Sequence, residues 1–475
     1  MEETKFDIIV IGGGPAGYVA AIKAAQLGAK TGLVEKDTVG GTCLNRGCIP
    51  TKNFIKSAEF IYEMAEAAGR GINLESTTFH MDMPGAVKAK NKVVKKLTGG
   101  IGMLLKANNV EIFKGTGTAK SANEVLVKDP SSGTVLKTLK TGAVILAGGS
   151  EVVKLPIPGV ESDRVLTSDD ILDIQSVPER LAIIGGGVIG VEMAMIFAAF
   201  GSKVTIVELE KTILPFMEKE ASDIVLKSLK KKGVDVKTGI KLEKFEETTS
   251  GVNLTLGSGE TVEADRALLS IGRKSDLSCI EGSAIETERG KITVDDEMKT
   301  SVAGIYAPGD VNGRKMLAHA AFKMGEVAAV NAAAYAGVKN CKGREKADMR
   351  FVPSVVYSIP EVASVGMTEA EAGEKHEISV GTFPLSANGR ALAAGAPEGF
   401  VKVIAERTYG EILGVHIAGH GASEIINEAA ALMAMEITVH EVSEIIHGHP
   451  TVSEAFMEAA ADCLDKCIHL PPVNN

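Results

Sequence analysis

The feature that most constrains this chain is a unit that occurs twice. Residues 6–11, FDIIVI, are a short apolar run ending in glycines. An Ala-rich helical pattern follows, and then TGLVEK, a strand pattern that closes on Glu35. Much later, RLAIIGGGVIGVEMAMIFAAFGSKVTIVEL repeats the order of strand, glycines, apolar helix and strand, and closes on Glu208. Each stretch predicts a β-α-β unit. In the first, Gly12-x-Gly14-x-x-Gly17 supplies a tight turn, a bare backbone that a pyrophosphate can approach, and a close helix–strand contact, in that order. The helix N-terminus then offers free N–H groups and a positive dipole to phosphates. The second cluster is Gly185-x-Gly187-x-x-Gly190. Glu35 and Glu208 sit where a carboxylate accepts from ribose hydroxyls, and an acid at Glu208 repels a 2′-phosphate, so NAD(H) is expected there over NADP(H).

Two dinucleotide sites in one chain predict an electron relay, with one dinucleotide held and the other exchanging. The composition agrees with this. Glycine is abundant at 52 residues and aromatics are only 4%, which suits nucleotide-binding α/β domains better than a β-sandwich. At 475 residues the chain exceeds one core and calls for about two to four domains. The net charge of -10 argues against a nucleic-acid partner. No apolar run is long enough to span a bilayer, and the acidic start with Lys23 does not read as a secretory signal, so no membrane association is expected. Six cysteines are too sparse for a disulfide framework and point to a reducing, cytoplasmic setting.

A third segment distinguishes the two sites. TSVAGIYAPGD, residues 300–310, resembles the second flavin-binding motif of FAD-dependent pyridine nucleotide oxidoreductases. That resemblance implies that Asp310 binds the ribityl chain, that FAD belongs to the N-terminal unit, and that NAD belongs to residues 185–208.

The cysteines can then be read. Cys43 and Cys48 lie in GGTCLNRGCIPTK, residues 40–52. In a regular helix that spacing puts the Cα atoms roughly 8 to 9 Å apart, whereas a disulfide needs about 4.4 to 6.8 Å. A bonded pair therefore requires a looped or distorted segment, which Asn45, Arg46 and Gly47 permit. So small a ring would be a poor staple. A metal pair would need two further ligands, and no Cys or His follows before His80. Chemistry beside a flavin is the better reading.

The whole segment resembles the active-site segment of class I pyridine nucleotide-disulfide oxidoreductases, and with the other motifs the likeness covers essentially the whole chain. The resemblance implies a redox disulfide in which Cys43 exchanges with substrate and Cys48 faces the flavin as the charge-transfer thiolate. It places Lys52 near flavin N5, paired with Glu192. In HGHPTVSEAF it makes His449 the acid–base catalyst, contributed across a homodimer interface, with Glu454 orienting it. Thr451-Val-Ser-Glu454 also reads as a helix capping box, and one side chain is not expected to serve both roles fully. His447 and His449 have H-x-H spacing, but a supporting role for His447 is the better reading and no metal is expected. Cys463 and Cys467 would share a helix face and are read as incidental.

The expected fold is α/β: two Rossmann-like dinucleotide-binding domains plus a C-terminal α+β dimerisation domain. The boundaries are 1–150 (FAD, first part), 151–275 (NAD), 276–345 (FAD and central, second part) and 346–475 (dimerisation). Within the family, members that oxidise dihydrolipoamide and reduce NAD+ fit better than those that reduce glutathione or mercuric ion. Glu208 opposes NADPH, and the His449–Glu454 pair differs from the terminal cysteine pair of the mercuric enzymes. The partners so implied are lipoyl domains of 2-oxo acid dehydrogenase, acetoin dehydrogenase or glycine-cleavage complexes.

Overall fold

The computed structural model describes residues 5–339 and 341–471; the acidic start of the chain and the last four residues of its tail lie outside these. Both repeated units fold as their patterns require. In the first, strands Lys5–Ile11 and Thr31–Glu35 are parallel neighbours joined through helix Pro15–Gln26. Their sheet runs Glu111–Lys114, Thr31–Glu35, Lys5–Ile11, Val135–Leu146, Glu124–Lys128, Thr116–Ser121, the last two being antiparallel additions. A seventh strand, Ile305–Tyr306, pairs in parallel with Val135–Leu146. The residues just before Asp310 are thereby stitched into the N-terminal sheet, although more than 150 residues separate them from its other strands.

The second unit builds a wholly parallel sheet in the order Asp235–Lys237, Lys203–Val207, Arg180–Ile184, Arg266–Leu269, Val165–Thr167. Its helix, Val188–Ala199, is apolar all round except for Glu192 and is almost wholly buried, as such a helix must be to escape water. A small antiparallel meander, Leu242–Glu247, Val252–Leu256 and Thr261–Ala264, packs against strand residues Ala182, Ile184 and Val207 of this sheet. The C-terminal region is a five-stranded antiparallel sheet, Ser354–Val356, Val362–Gly366, Ile412–Ala418, Phe400–Glu406, Ile378–Pro384. Helix Glu454–Asp462 crosses it so closely that a Cβ on Gly381 would lie 2.0 Å from the Ala459 carbonyl oxygen. No helix among the described residues is long and apolar enough to cross a membrane.

The expectation that Cys463 and Cys467 share a helix face is corrected. The helix ends at Asp462, and Asp465 turns the chain with φ 56°. Cys463 is buried against the Val403 carbonyl, whereas Cys467 donates to Glu458 Oε2 at 3.0 Å. Propensity favoured another helical turn, but the left-handed residue ends it.

A buried cation ties the second unit to the C-terminal sheet. Lys402 Nζ lies 2.8 Å from Glu220, 2.9 Å from Glu369 and 3.4 Å from Glu218. Lys402 and Glu218 are both buried, and Glu218 also accepts from the Glu369 N–H at 2.6 Å. These three acids are the only group among the described residues close enough to share a metal ion, and the Lys402 ammonium already sits among them. Lys402→Met would strand the buried Glu218 charge. We expect a loss of about 3 kcal/mol, the low end for a broken buried pair because Glu220 and Glu369 stay half-exposed. Urea unfolding of the purified protein checks this, and an unchanged midpoint would contradict it.

Candidate active site

The two units open into one continuous cavity of about 1950 Å³. Its wall runs from Gly12, Gly14 and Glu35, past Cys43, Cys48 and Lys52, to Glu192, Gly187 and Glu208. The glycine clusters are near copies. Gly12 has φ +96° and Gly185 φ +107°, and a Cβ on either would run into a backbone carbonyl, 2.2 Å from Ala147 O or 2.5 Å from Ser270 O. A Cβ on Gly17 would lie 1.7 Å from Gly12 O, and one on Gly190 would lie 1.9 Å from Gly185 O. Those helices touch their strands because no side chain intervenes.

The acids are copies as well. Glu35 accepts from the N–H of Gly13 at 2.6 Å and of Asp37 at 2.7 Å. Glu208 accepts from the N–H of Gly186 and, at 2.7 Å, of Glu210. Each carboxylate thus braces its own glycine turn through one oxygen and the chain just past its own strand through the other, and the remaining lone pairs are left for ligand hydroxyls.

Both sites fit dinucleotides. Helices Pro15–Gln26 and Val188–Ala199 start at Gly14 and Gly187 with no side-chain cap and no acid in the first turn, which leaves their N–H groups for an anion. A Cβ on Gly187 would meet nothing within 4 Å, so open space lies where a pyrophosphate belongs. Helix Ala318–Tyr335 presents a third uncapped N-terminus to the same cavity, with Leu317, Ala318 and His319 on the wall. Asp310 also lines the cavity and accepts from the Ser150 hydroxyl at 2.7 Å. Arg273 in turn donates to Ser150 Oγ at 2.9 Å and to Thr42 Oγ1, beside Cys43, at 3.3 Å.

The cysteine segment is broken where looping was expected. Helix Gly41–Arg46 ends, Gly47 takes φ −142° and ψ −110°, and helix Cys48–Glu66 begins at Cys48. The break sets the Cys43 and Cys48 side chains close enough that hydrogen bonding between them governs both pKa values; both are free thiols here. That hydrogen bond raises the Cys43 pKa, and burial raises it further. The same bond holds Cys48 down to about 7; burial opposes this and the Lys52 ammonium assists it. A thiol at the first residue of a long helix is well placed to ionise. The negative charge of the reduced pair therefore belongs on Cys48.

Lys52 Nζ lies 3.0 and 2.9 Å from the two oxygens of Glu192, which is buried in its apolar helix. Glu192 also accepts from the Tyr357 N–H at 3.0 Å, and Lys52 Nζ stands 4.3 Å from the centre of the Tyr357 ring.

His449 and Glu454 do not line this cavity. His449 Nδ1 is 3.0 Å from Glu454 Oε1, and its side chain is 79% exposed. The either-or expected for Glu454 is corrected. Its second oxygen accepts from the Thr451 N–H at 2.8 Å, so one carboxylate braces both backbone and imidazole. Burial opposes its charge, but those two hydrogen bonds prevail and hold its pKa below the ordinary value. His447 is engaged at both nitrogens, by Glu428 at 2.9 Å and the Ile445 carbonyl at 3.0 Å, and the Glu428 contact raises its pKa.

Arg273, Tyr357 and the start of helix Ala318–Tyr335 were missed by the sequence reading. For the helix, the apolar run that follows Arg314 and Lys315 is a signal of sorts; the other two act through long-range contacts and leave none.

The chain matches the pyridine nucleotide-disulphide oxidoreductase family over residues 6–325 and the dimerisation domain of that family over residues 352–460. Curated relatives include the dihydrolipoyl dehydrogenases of Haloferax volcanii, 40% identical over 98% of both chains, and of Chlamydia muridarum, 38% identical over 98% of both. Among solved structures, LpdA from Mycobacterium tuberculosis superposes with a TM-score of 0.87 at 27% identity, covering 96% of this chain and 99% of that one. The HOCl-induced flavoprotein disulfide reductase RclA of Escherichia coli gives 0.84 at 27% identity with the same coverage.

The two glycine positions should separate stability from binding. Gly190→Ala collides with Gly185 O and should lower the thermal midpoint. Gly187→Ala, at an ordinary φ of −77° and in open space, should keep the midpoint but weaken NADH binding. Thermal scans and NADH titrations check the pair; a large loss of stability in Gly187→Ala would contradict the assignment.

Proposed function

Because the chain belongs to the pyridine nucleotide-disulphide oxidoreductase family, we propose that it oxidises dihydrolipoamide to lipoamide and reduces NAD+, the reaction of a dihydrolipoyl dehydrogenase. The observation that carries this reading is the Cys43–Cys48 contact on the wall of a cavity that joins two dinucleotide-binding units. The full-length relatives at 38–40% identity support it independently.

Residues 1–150 and 276–345 then form the FAD part, 151–275 the NAD part and 346–475 the dimerisation part. Gly12, Gly14, Gly17, Glu35 and Asp310 hold FAD, with Lys52 beside its ring. Gly185, Gly187, Gly190 and Glu208 hold NAD. Bound FAD supplies the carrier that takes an electron pair from the sulfurs to the nicotinamide.

The chain's own groups do the following. His449 of the partner subunit removes a proton from one dihydrolipoamide thiol, a task suited to an imidazole near neutral pH. Glu454 fixes that ring through Nδ1 and leaves Nε2 for the proton. The new thiolate attacks Cys43 of the disulfide, and Cys48 leaves as thiolate. The second substrate thiol then attacks the mixed disulfide at the substrate sulfur, lipoamide departs with its ring closed, and the Cys43 sulfur takes the proton. The low Cys48 pKa makes it a good leaving group, and Lys52 shields its charge. Because His449 stands off the cavity of its own chain, the reading requires a homodimer. The dithiol arrives on a lipoyl domain of another protein.

Cys48→Ser should abolish lipoamide turnover while FAD stays bound; undiminished turnover would refute the assignment. Oxidised glutathione with NADPH should give negligible rates beside dihydrolipoamide with NAD+, and steady-state assays of both pairs decide between these substrates. His449→Gln should lower kcat by about 100-fold or more, the scale of a lost general base, with FAD content unchanged.

A further inference from the structure

The Lys52–Glu192 pair has a third member that no motif announced. We infer that Tyr357 is a positioning residue for the redox sulfurs, and that its ring holds the Lys52 ammonium at the distance from which it shields Cys48. The inference rests on the redox reading of Cys43 and Cys48 proposed above.

The geometry is convergent. Lys52 comes from the cysteine helix Cys48–Glu66, Glu192 from helix Val188–Ala199, and Tyr357 from the residue after strand Ser354–Val356. All three line the cavity together with Cys48. The Tyr357 N–H fixes Glu192 Oε1 at 3.0 Å while its ring covers Lys52 Nζ at 4.3 Å. The tyrosine thus grips both partners, one through its backbone and one through its side chain. Its own segment is anchored, since the Ile359 carbonyl accepts from Ser228 at 2.6 Å and from Lys232 at 3.1 Å.

The position of the ammonium matters because two anions compete for it. Glu192 draws it away from Cys48, and the Cys48 thiolate draws it back. The other titratable groups facing this cluster are Cys43, Glu361 and Glu424; burial first, and then Glu361, Glu192 and Glu424, raise the Tyr357 hydroxyl pKa, so the ring stays neutral and its face stays available to a cation. A cation over an aromatic face is held electrostatically and most strongly where water is excluded. Without the ring, Lys52 gains rotamer freedom and water, and the thiolate loses part of its shielding. The backbone N–H to Glu192 survives any side-chain change at Tyr357, so the ring can be tested alone.

The test measures the pH midpoint of the Cys48 thiolate through its long-wavelength absorbance against bound flavin, in FAD-loaded protein carrying Cys43→Ser. Adding Tyr357→Phe, which keeps the ring, should leave the midpoint in place. Adding Tyr357→Leu should raise it by about 0.5 to 1 unit. Lys52→Met should raise it by itself, and in that background Tyr357→Leu should add nothing, because the ring acts through the lysine. An unmoved midpoint in Tyr357→Leu overturns the inference. So does an equal shift in Tyr357→Phe, or a full extra shift in the Lys52→Met background. If the Cys43→Ser parent shows no titrating band at all, the redox reading falls, and the inference with it.

Discussion

The architecture depends on one contact, between the sulfurs of Cys43 and Cys48 across the break at Gly47. Had the two helices run on as one, the spacing of five residues would hold these atoms apart. The kink folds the first cysteine back onto the second and places the second at a helix N-terminus. Charge, reactivity and direction follow from that arrangement. Cys43 is the protonated donor, Cys48 is the acceptor that carries the negative charge, and Lys52, one turn further along the helix, faces the charge so created.

The rest of the molecule brings two glycine-turn units to the cavity that holds this contact. The parallel in their construction is detailed. Each glycine turn is braced by the acid at the end of the next strand, and each helix starts uncapped toward the cavity. The duplication is therefore of a physical device, an anion site with a rigid rim, and not merely of a sequence pattern. Between the two devices the Lys52–Glu192 pair links the cysteine helix to the helix of the second unit, and Tyr357 adds the C-terminal region to that junction. Three distant parts of the chain meet around the one sulfur that must hold a charge.

What the sequence revealed and what it hid follow the range of the interactions. The glycine clusters, Glu35, Glu208 and the cysteine segment are local devices, in which a few neighbouring residues dictate the geometry, and they could be read directly. The Lys52–Glu192 contact spans 140 residues and was visible only through resemblance. Arg273 acts through guanidinium hydrogen bonds to residues far away in sequence, and Tyr357 through its backbone N–H and ring; neither leaves a periodic mark. The either-or expected for Glu454 fails because no capping box forms there: the helix starts at Glu454 itself, the Thr451 hydroxyl donates to the Gly448 carbonyl, and the two carboxylate oxygens face different partners. The helix expected through Cys463 and Cys467 stops at Asp462, and the chain turns away at Asp465, one of the few side chains other than glycine that takes the left-handed conformation.

Under the proposed function, the sulfur pair stores electrons in its own right beside the bound flavin. Anaerobic reductive titration of the FAD-loaded protein measures that capacity directly. Uptake of two electron pairs per chain, with the yellow absorbance fully lost only during the second, is the predicted result. Complete loss of colour after a single pair would show that Cys43 and Cys48 take no part, and would contradict the central claim.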